Sequence, residues 1–250
     1  MWECSIILDK KNDELAKYMQ KKLTRYKPLG ILFAEYSANG QTSLNIACKD
    51  KYAEHISKQV SDGIAELIIL TYKESFYKSR ISLSGLSSIC EKALIKALFL
   101  FDIDDDKETI LHYLKLKKTV VLKSFFDFKL NELRNKWEGI VALTQDNFYY
   151  FLNSNVFIEV LKFLLSAIPH KYEEVTVGFT GDEFALLDDK YHQIYLDFPE
   201  PMYNEVGLVS NLIFLSPKKI NVLCLQYLSK PTFNILYNAF SQCINFRNEI

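Results

Sequence analysis

The stretch KYAEHISKQVSDGIAELIILTYKESF, residues 51–76, decides how the rest of the chain is read. Ala53, Ile56, Val60, Ile64, Leu67, Ile68, Tyr72 and Phe76 recur at three-and-four spacing. That spacing puts them on one side of an α-helix and predicts one long amphipathic helix in spite of Gly63. An apolar stripe of this length must be covered by other parts of the chain. Outward from it, the 140 residues between Pro28 and Pro169 contain no proline and only five glycines. Proline removes a backbone donor and clashes with the preceding turn, so its absence beside helical periodicity marks a helical block.

Within that block, Ser88 and Glu91 have capping-box spacing and open a helix carrying Ala93, Leu94, Ala97, Leu98 and Phe101. Asp105 with Glu108 repeats the signature ahead of Ile110, Leu111 and Leu114. A further helix from about Ser124 holds Phe126, Leu130, Leu133 and Trp137, and residues 147–167 complete the block. On its N-terminal side, residues 3–8 read as a strand, and Asn12 or Asp13 as the cap of a helix with Leu15, Met19, Leu23 and Tyr26 on one face. Residues 31–36 and 42–48 are strands joined at Ser37-Ala38-Asn39-Gly40, where Asn-Gly supplies the positive φ angles of a tight hairpin. After Pro169, residues 174–179 and 183–187 form a second hairpin, and residues 203–215 a helix stopped by Pro217. Residues 220–225 form a buried strand, Pro231 starts a last helix, and residues 244–247 are an edge strand.

The expected fold class is therefore α+β: a central helical block with one small, mainly antiparallel sheet to which the N- and C-terminal segments both contribute. The expected division is a β-α-β-β unit at 1–50, the helical block at 51–168 and a C-terminal α/β unit at 169–250.

At 250 residues and 49% hydrophobic, the chain has material for a large core. A formal charge of -1 argues against a protein that coats nucleic acid or anionic lipid through its overall charge. Cys4, Cys48, Cys90, Cys224 and Cys243 are widely spaced and form no CxxC, so they read as reduced, buried thiols and not as a disulfide or zinc framework. The apolar run at 5–8 is too short for a signal peptide, and those at 64–70 and 157–168 are interrupted by charges, short of the roughly 20 residues that span a bilayer. The expectation is a soluble cytoplasmic protein with no membrane span.

Residues 125–163 carry a resemblance. Phe125-Phe126-Asp127-Phe128-Lys129-Leu130-Asn131-Glu132 is followed by Glu138, Ile140, Val141, Asp146 and Phe148, then by Phe157-Ile158-Glu159-Val160-Leu161-Lys162-Phe163. Downstream come a proline, a hairpin with Gly181-Asp182 at its turn, and Ser216-Pro217-Lys218-Lys219-Ile220 ahead of a strand. This resembles the YtxC-like family over roughly residues 50–240. The resemblance implies a role in sporulation and carries no known reaction and no active-site residues.

Candidate chemistry has a plainer explanation at each point. Asp102, Asp104 and Asp106 alternate like calcium ligands, but Lys107 replaces the loop glycine and Tyr113 the closing glutamate, so they read as helix capping. His55, His112, His170 and His192 contain no i, i+4 pair for a metal. Asp182, Glu183, Asp188 and Asp189 suit turns without any metal. No GxSxG, GxxxxGK[ST] or GxGxxG is present. No catalytic residue, cofactor or metal ligand is assigned. Two segments are locally basic, residues 10–27 and 107–136, and the second interleaves Phe125, Phe126 and Phe128. Lys115, Lys117, Lys118, Lys129, Lys218 and Lys219 are the candidates for contact with an anion or a partner. The leading functional expectation is a non-enzymatic protein that works through a protein partner. The alternatives are nucleic-acid binding through the basic helices and an enzyme whose site has no motif.

Overall fold

A computed structural model describes residues 1–9, 13–38, 40–116, 118–197 and 199–246. Asn12, Asn39 and Lys117, named above, and Arg247, the last residue of the expected edge strand, lie outside the described residues. In chain order the elements are β1 (Trp2–Asp9), α1 (Asp13–Thr24), β2 (Leu32–Ala38), β3 (Gln41–Cys48), α2 (Ala53–Ile68), α3 (Glu74–Arg80), α4 (Ser88–Phe101) and α5 (Ile103–Tyr113). They continue with β4 (Thr119–Val121), α6 (Leu122–Lys129), α7 (Asn131–Asp146), α8 (Phe148–Phe151) and α9 (Ser154–Ala167). The last are β5 (Val175–Thr180), β6 (Glu183–Leu187), α10 (Glu205–Leu215), β7 (Ile220–Val222), α11 (Lys230–Ala239) and β8 (Ile244–Phe246). The protein is α+β.

The strands form two separate four-stranded sheets, β2-β3-β1-β4 and β6-β5-β7-β8, which corrects the expectation of one shared, mainly antiparallel sheet. Both sheets are mixed. In the first, β1 pairs antiparallel with β3 and parallel with β4; in the second, β7 pairs parallel with both β5 and β8. The physical reason is the connections. A helix between β7 and β8 carries the chain back to the start of the sheet, so those strands run the same way, whereas the direct hairpins β2-β3 and β5-β6 are forced antiparallel and β1 joins β3 antiparallel without being its chain neighbour.

By packing, the chain divides into two compact units, Met1–Phe76 with Ile103–Ile140 and Tyr77–Asp102 with Val141–Ile250. Residues 51–168 are thus distributed between both units. In the first unit, β1 and β3 turn Cys4, Ile6, Leu8, Leu44, Ile46 and Cys48 to one buried face, as the period-two pattern requires. Ala16, Met19 and Leu23 of α1 and Ile56, Val60, Ile64 and Leu67 of α2 are buried in the same unit.

The long helix of residues 51–76 is interrupted. Ile69–Lys73 is a π-helical turn between α2 and α3. The wider turn shifts the register of the stripe, so that Lys73, on the solvent side of a continuous α-helix, becomes fully buried. The helix expected from Ser124 to Trp137 likewise breaks at Leu130 into α6 and α7, and β4, which the sequence reading missed, precedes it.

The second unit is built on α4 and α10, both buried nearly all round. Ser87, one residue ahead of the expected cap, accepts the Cys90 N–H at the start of α4. Gly207 in α10 has no room for a side chain: a Cβ there would lie 1.7 Å from the Pro201 carbonyl oxygen.

Candidate protein-contact surface

Asn153 separates α8 from α9 by accepting the N–H groups of Asn155 and Val156 through its side chain. From that cap, α9 presents two apolar sides. Phe157, Ile158, Leu161 and Leu164 are buried. Val156 and Phe163 are exposed, with Val160 half-buried between them. Phe163 leaves 63% of its surface in solvent while its ring rests 5.9 Å from that of Phe101. Tyr149, Tyr150 and Leu152, at the end of α8 and just after it, are also exposed.

A shallow groove of about 420 Å³ runs along α9 between Asn155, Val156, Glu159, Val160 and Phe163. Glu159 and Lys162 flank it and pair loosely at 3.6 Å. Exposed aromatic and aliphatic side chains beside charges, as Val156 and Phe163 are along this groove, are what a protein contact requires, because association removes them from water.

The polar groups elsewhere hold the fold. In the first unit Asp106, from α5, is fully buried and takes Lys73 Nζ at 2.6 Å, Lys136 Nζ at 2.8 Å and Trp137 Nε1 at 3.0 Å. A carboxylate at that depth needs such partners. Tyr72, Phe126, Trp137 and Phe76 form an aromatic cluster beside the network, with Tyr72 and Phe126 stacked 4.3 Å apart and Phe76 edge-on to Trp137. One residue on, Lys107 reaches Glu66 at 3.3 Å and Asp62 at 3.6 Å. Glu66 also binds Lys22 and accepts from the Tyr18 hydroxyl. Burial pushes the Glu66 carboxyl up, but Lys22, Lys107 and Tyr18 together outweigh it and hold the group below its ordinary value.

Asp106, one of the three aspartates that alternate like calcium ligands, is accounted for by this packing. Asp102 ends α4, and Asp104, Asp105 and Asp106 lie in the first turn of α5, so that helix begins ahead of the expected Asp105 cap. Among the described residues no group of three His, Cys, Asp or Glu side chains could hold a metal ion. In the second hairpin, Asp188 accepts the N–H groups of Lys190 and His192, and the His192 bond foremost holds its carboxyl below the usual value.

A cavity of about 290 Å³ lies in the second unit at the C-terminal ends of α9, α10 and α11, lined in part by Lys162, Ser166, His170, Ser216, Lys218 and Cys243. The residue types suggest nucleophilic chemistry, and the geometry argues against it. His170 Nδ1 lies 3.1 Å from the Ser216 carbonyl oxygen, which can only accept, so that nitrogen carries the proton and cannot serve as base toward Ser216 Oγ, 3.5 Å away. Burial pushes the Cys243 thiol up, and its Sγ donates to the Phe240 carbonyl, which leaves it unreactive. Cys4, pushed up to about 11 by burial, is inert for the same reason.

The lysines singled out from the sequence fall on different elements. Lys115 follows α5 and Lys129 ends α6, both exposed. Lys118 lies 3.7 Å from Glu3. Lys218 pairs with Glu173 at 2.7 Å and Lys219 with Glu174 at 2.8 Å, ahead of β7. The α9 groove was not read from the sequence. Its signal was present in apolar residues at 156, 160 and 163 as well as at 157, 161 and 164, a stripe wider than one buried face needs.

Fold and surface together define the class: an α+β protein of two compact units, with an exposed aromatic and aliphatic helix face on the second. The sequence pattern of the YtxC-like family matches residues 102–245, more than half of the chain, and the chain belongs to that family. The matched region runs from the end of α4 to β8 and includes α8 and α9. No curated protein and no solved structure matches the chain. No helix among the described residues is long and apolar enough to cross a membrane.

The residues of the resemblance now have physical roles. Phe126 and Leu130 are core, Phe128 and Lys129 face solvent, and Phe157, Ile158 and Leu161 anchor α9. Ser216 adopts the left-handed conformation that ends α10 ahead of β7.

Proposed function

We propose that this protein acts in sporulation, in the cytoplasm, as a non-enzymatic component that works through protein contacts made by α8 and α9. Family membership supports the sporulation role. The observation that carries the mode of action is the exposed set Tyr149, Tyr150, Leu152, Val156 and Phe163, which lies within the family-matched region. Side chains of this kind lower the free energy by about 25 cal/mol per Å² when a partner covers them, which is the driving force for such a contact.

The test is complementation. A deletion strain of the endospore-forming host should lose heat-resistant spores, and the wild-type chain should restore them. A Phe163→Glu chain, shown by circular dichroism and thermal melting to be folded, should fail to restore them. Full restoration by that variant would remove α9 from the mechanism; normal sporulation of the deletion strain would remove the role itself.

Nucleic-acid binding through Lys115, Lys118 and Lys129 is the second reading, favoured by the exposure of Lys115 and Lys129. It requires affinity that falls steeply with salt and drops when those lysines are neutralised.

A further inference from the structure

We propose that a second copy of this chain docks on α9, antiparallel across a two-fold axis, with Phe163 of each copy seated between Val156 and Val160 of the other. The inference rests on reading α8 and α9 as a contact surface and names the partner.

A two-fold interface must be self-complementary, since the same patch serves both sides. The α9 face meets this condition in shape. Asn155, Val156, Glu159 and Val160 bound the groove, and Phe163 stands beside it as the projecting side chain. The four are neighbours on the helix surface and bound a hollow open to a side chain from a facing helix. The centre of the hole lies, along the helix axis, between Phe157 and Ile158. An axis that brings Phe163 of the second copy to that level passes close to the midpoint between Val160 and Leu161.

The polar side of the face gives the same axis independently. Asn155, Glu159, Lys162 and Ser166 form a row beside the apolar seam, at helical spacing of four, three and four. A two-fold axis between Val160 and Leu161 sets Glu159 against Lys162 of the second copy and Asn155 against Ser166. Both pairs then occur twice. The axis demanded by shape and the axis demanded by charge differ by a fraction of one residue, under about 1 Å at a rise of 1.5 Å per residue. Within one chain Glu159, largely exposed, and Lys162, half-buried, are held by a 3.6 Å contact, so exchanging partners costs little. At the end of the seam, exposed Leu152 comes near exposed Ala167 of the second copy.

A single seam on a 14-residue helix is small beside the roughly 1,200–2,000 Å² of stable complexes. The dimer should accordingly be weak, with a dissociation constant on the order of 10–100 μM.

Sedimentation velocity of the full chain from about 1 to 500 μM spans that range on both sides. The wild-type chain should pass from monomer to dimer, and Phe163→Glu should stay monomeric with an unchanged thermal melt. Glu159→Lys alone and Lys162→Glu alone should each weaken association at least tenfold by setting like charges together. The double variant, Glu159→Lys with Lys162→Glu, should recover it, because the exchanged charges again meet opposites. A wild-type chain that is monomeric throughout overturns the proposal. So does a dimer indifferent to Phe163→Glu, or one that the double variant fails to restore. The contact-surface reading fails separately. If the wild-type chain is monomeric while Phe163→Glu still abolishes complementation, the dimer is wrong and the face serves another protein.

Discussion

The two units handle their polar groups differently, although the second also buries a charge, Lys96, 4.0 Å from Glu200. The first seals charge inside: Asp106 and Lys73 have no solvent exposure, and Glu66 gathers Lys22 and Lys107 beside them. The second uses polar side chains to clamp backbone. Asn211 exchanges hydrogen bonds with both the N–H and the carbonyl of Glu200, and Glu205 holds the N–H and hydroxyl of Ser229 at the start of α11. Both units leave aromatic side chains outside, Tyr36 and Phe128 in the first and Tyr149, Tyr150 and Phe163 in the second. The first unit is therefore sensitive to the loss of a charge, the second to a change in shape.

The largest expected effect tests the first half of that contrast. Asp106→Ala leaves Lys73 and Lys136 without the carboxylate that brings them together, and should cost about 3–5 kcal/mol in urea unfolding. A loss below about 1 kcal/mol would show that the buried network is incidental.

Next comes a pair of glycines. Gly207→Ala drives a methyl group into the Pro201 carbonyl and should cost about 3 kcal/mol. Gly63→Ala meets only the Sδ and Cε atoms of Met19, the mobile end of a flexible side chain. The gain in helix propensity, about 1 kcal/mol, should offset that contact and leave stability within about 1 kcal/mol of wild type. Equal losses at the two sites would erase the difference between steric control in the second unit and tolerance in the first.

A smaller effect depends on pH. Because the folded-state value of Glu66 is lowered, its contribution is fully present above the unfolded value near about 4.3 and disappears as pH falls through the folded value. Glu66→Gln should lower stability by about 1–2 kcal/mol at pH 7, and the two proteins should converge in strong acid. A gap in melting temperature that is the same at every pH would mean that Glu66 acts by packing and not by charge.

The smallest effect is a gain. Tyr191 holds a φ of 62°, a left-handed conformation that an L side chain resists. Tyr191→Gly should stabilise the turn after β6 by up to about 1 kcal/mol, measured by thermal melting, and a loss would mean that the ring itself contributes.

Local pattern was enough for most elements. The alternation of β1 and β3, Pro217 just after α10 and Pro231 in the first turn of α11 are all effects of neighbours within a few residues. Interruptions were harder. Nothing in the composition of Ile69–Lys73 separates a π turn from continuous helix, because what favours the turn is Asp106, 33 residues beyond Lys73, offering a buried partner. Strand β4 was missed because three residues, Thr119–Val121, are too few to show a period, and they are held by pairing with β1.

The candidate surface divides in the same manner. Residues 157–163 were legible as a helix of the YtxC-like pattern, since anchor and exposed positions both belong to the motif. Their exposure was not, because Phe163 and Phe157 are the same residue type and differ only in what the rest of the fold places over them.

By itself, then, the sequence determined the α+β class, the position of nearly every helix and the family. These follow from periodicity, capping and motif, which act over short distances along the chain. The tertiary structure alone decided that the strands form two sheets, that Lys73 and Asp106 meet in the core, and that one side of α9 stays uncovered. Each of these is a relation between residues far apart in the chain, where packing, desolvation and charge pairing choose among arrangements that local pattern leaves equal.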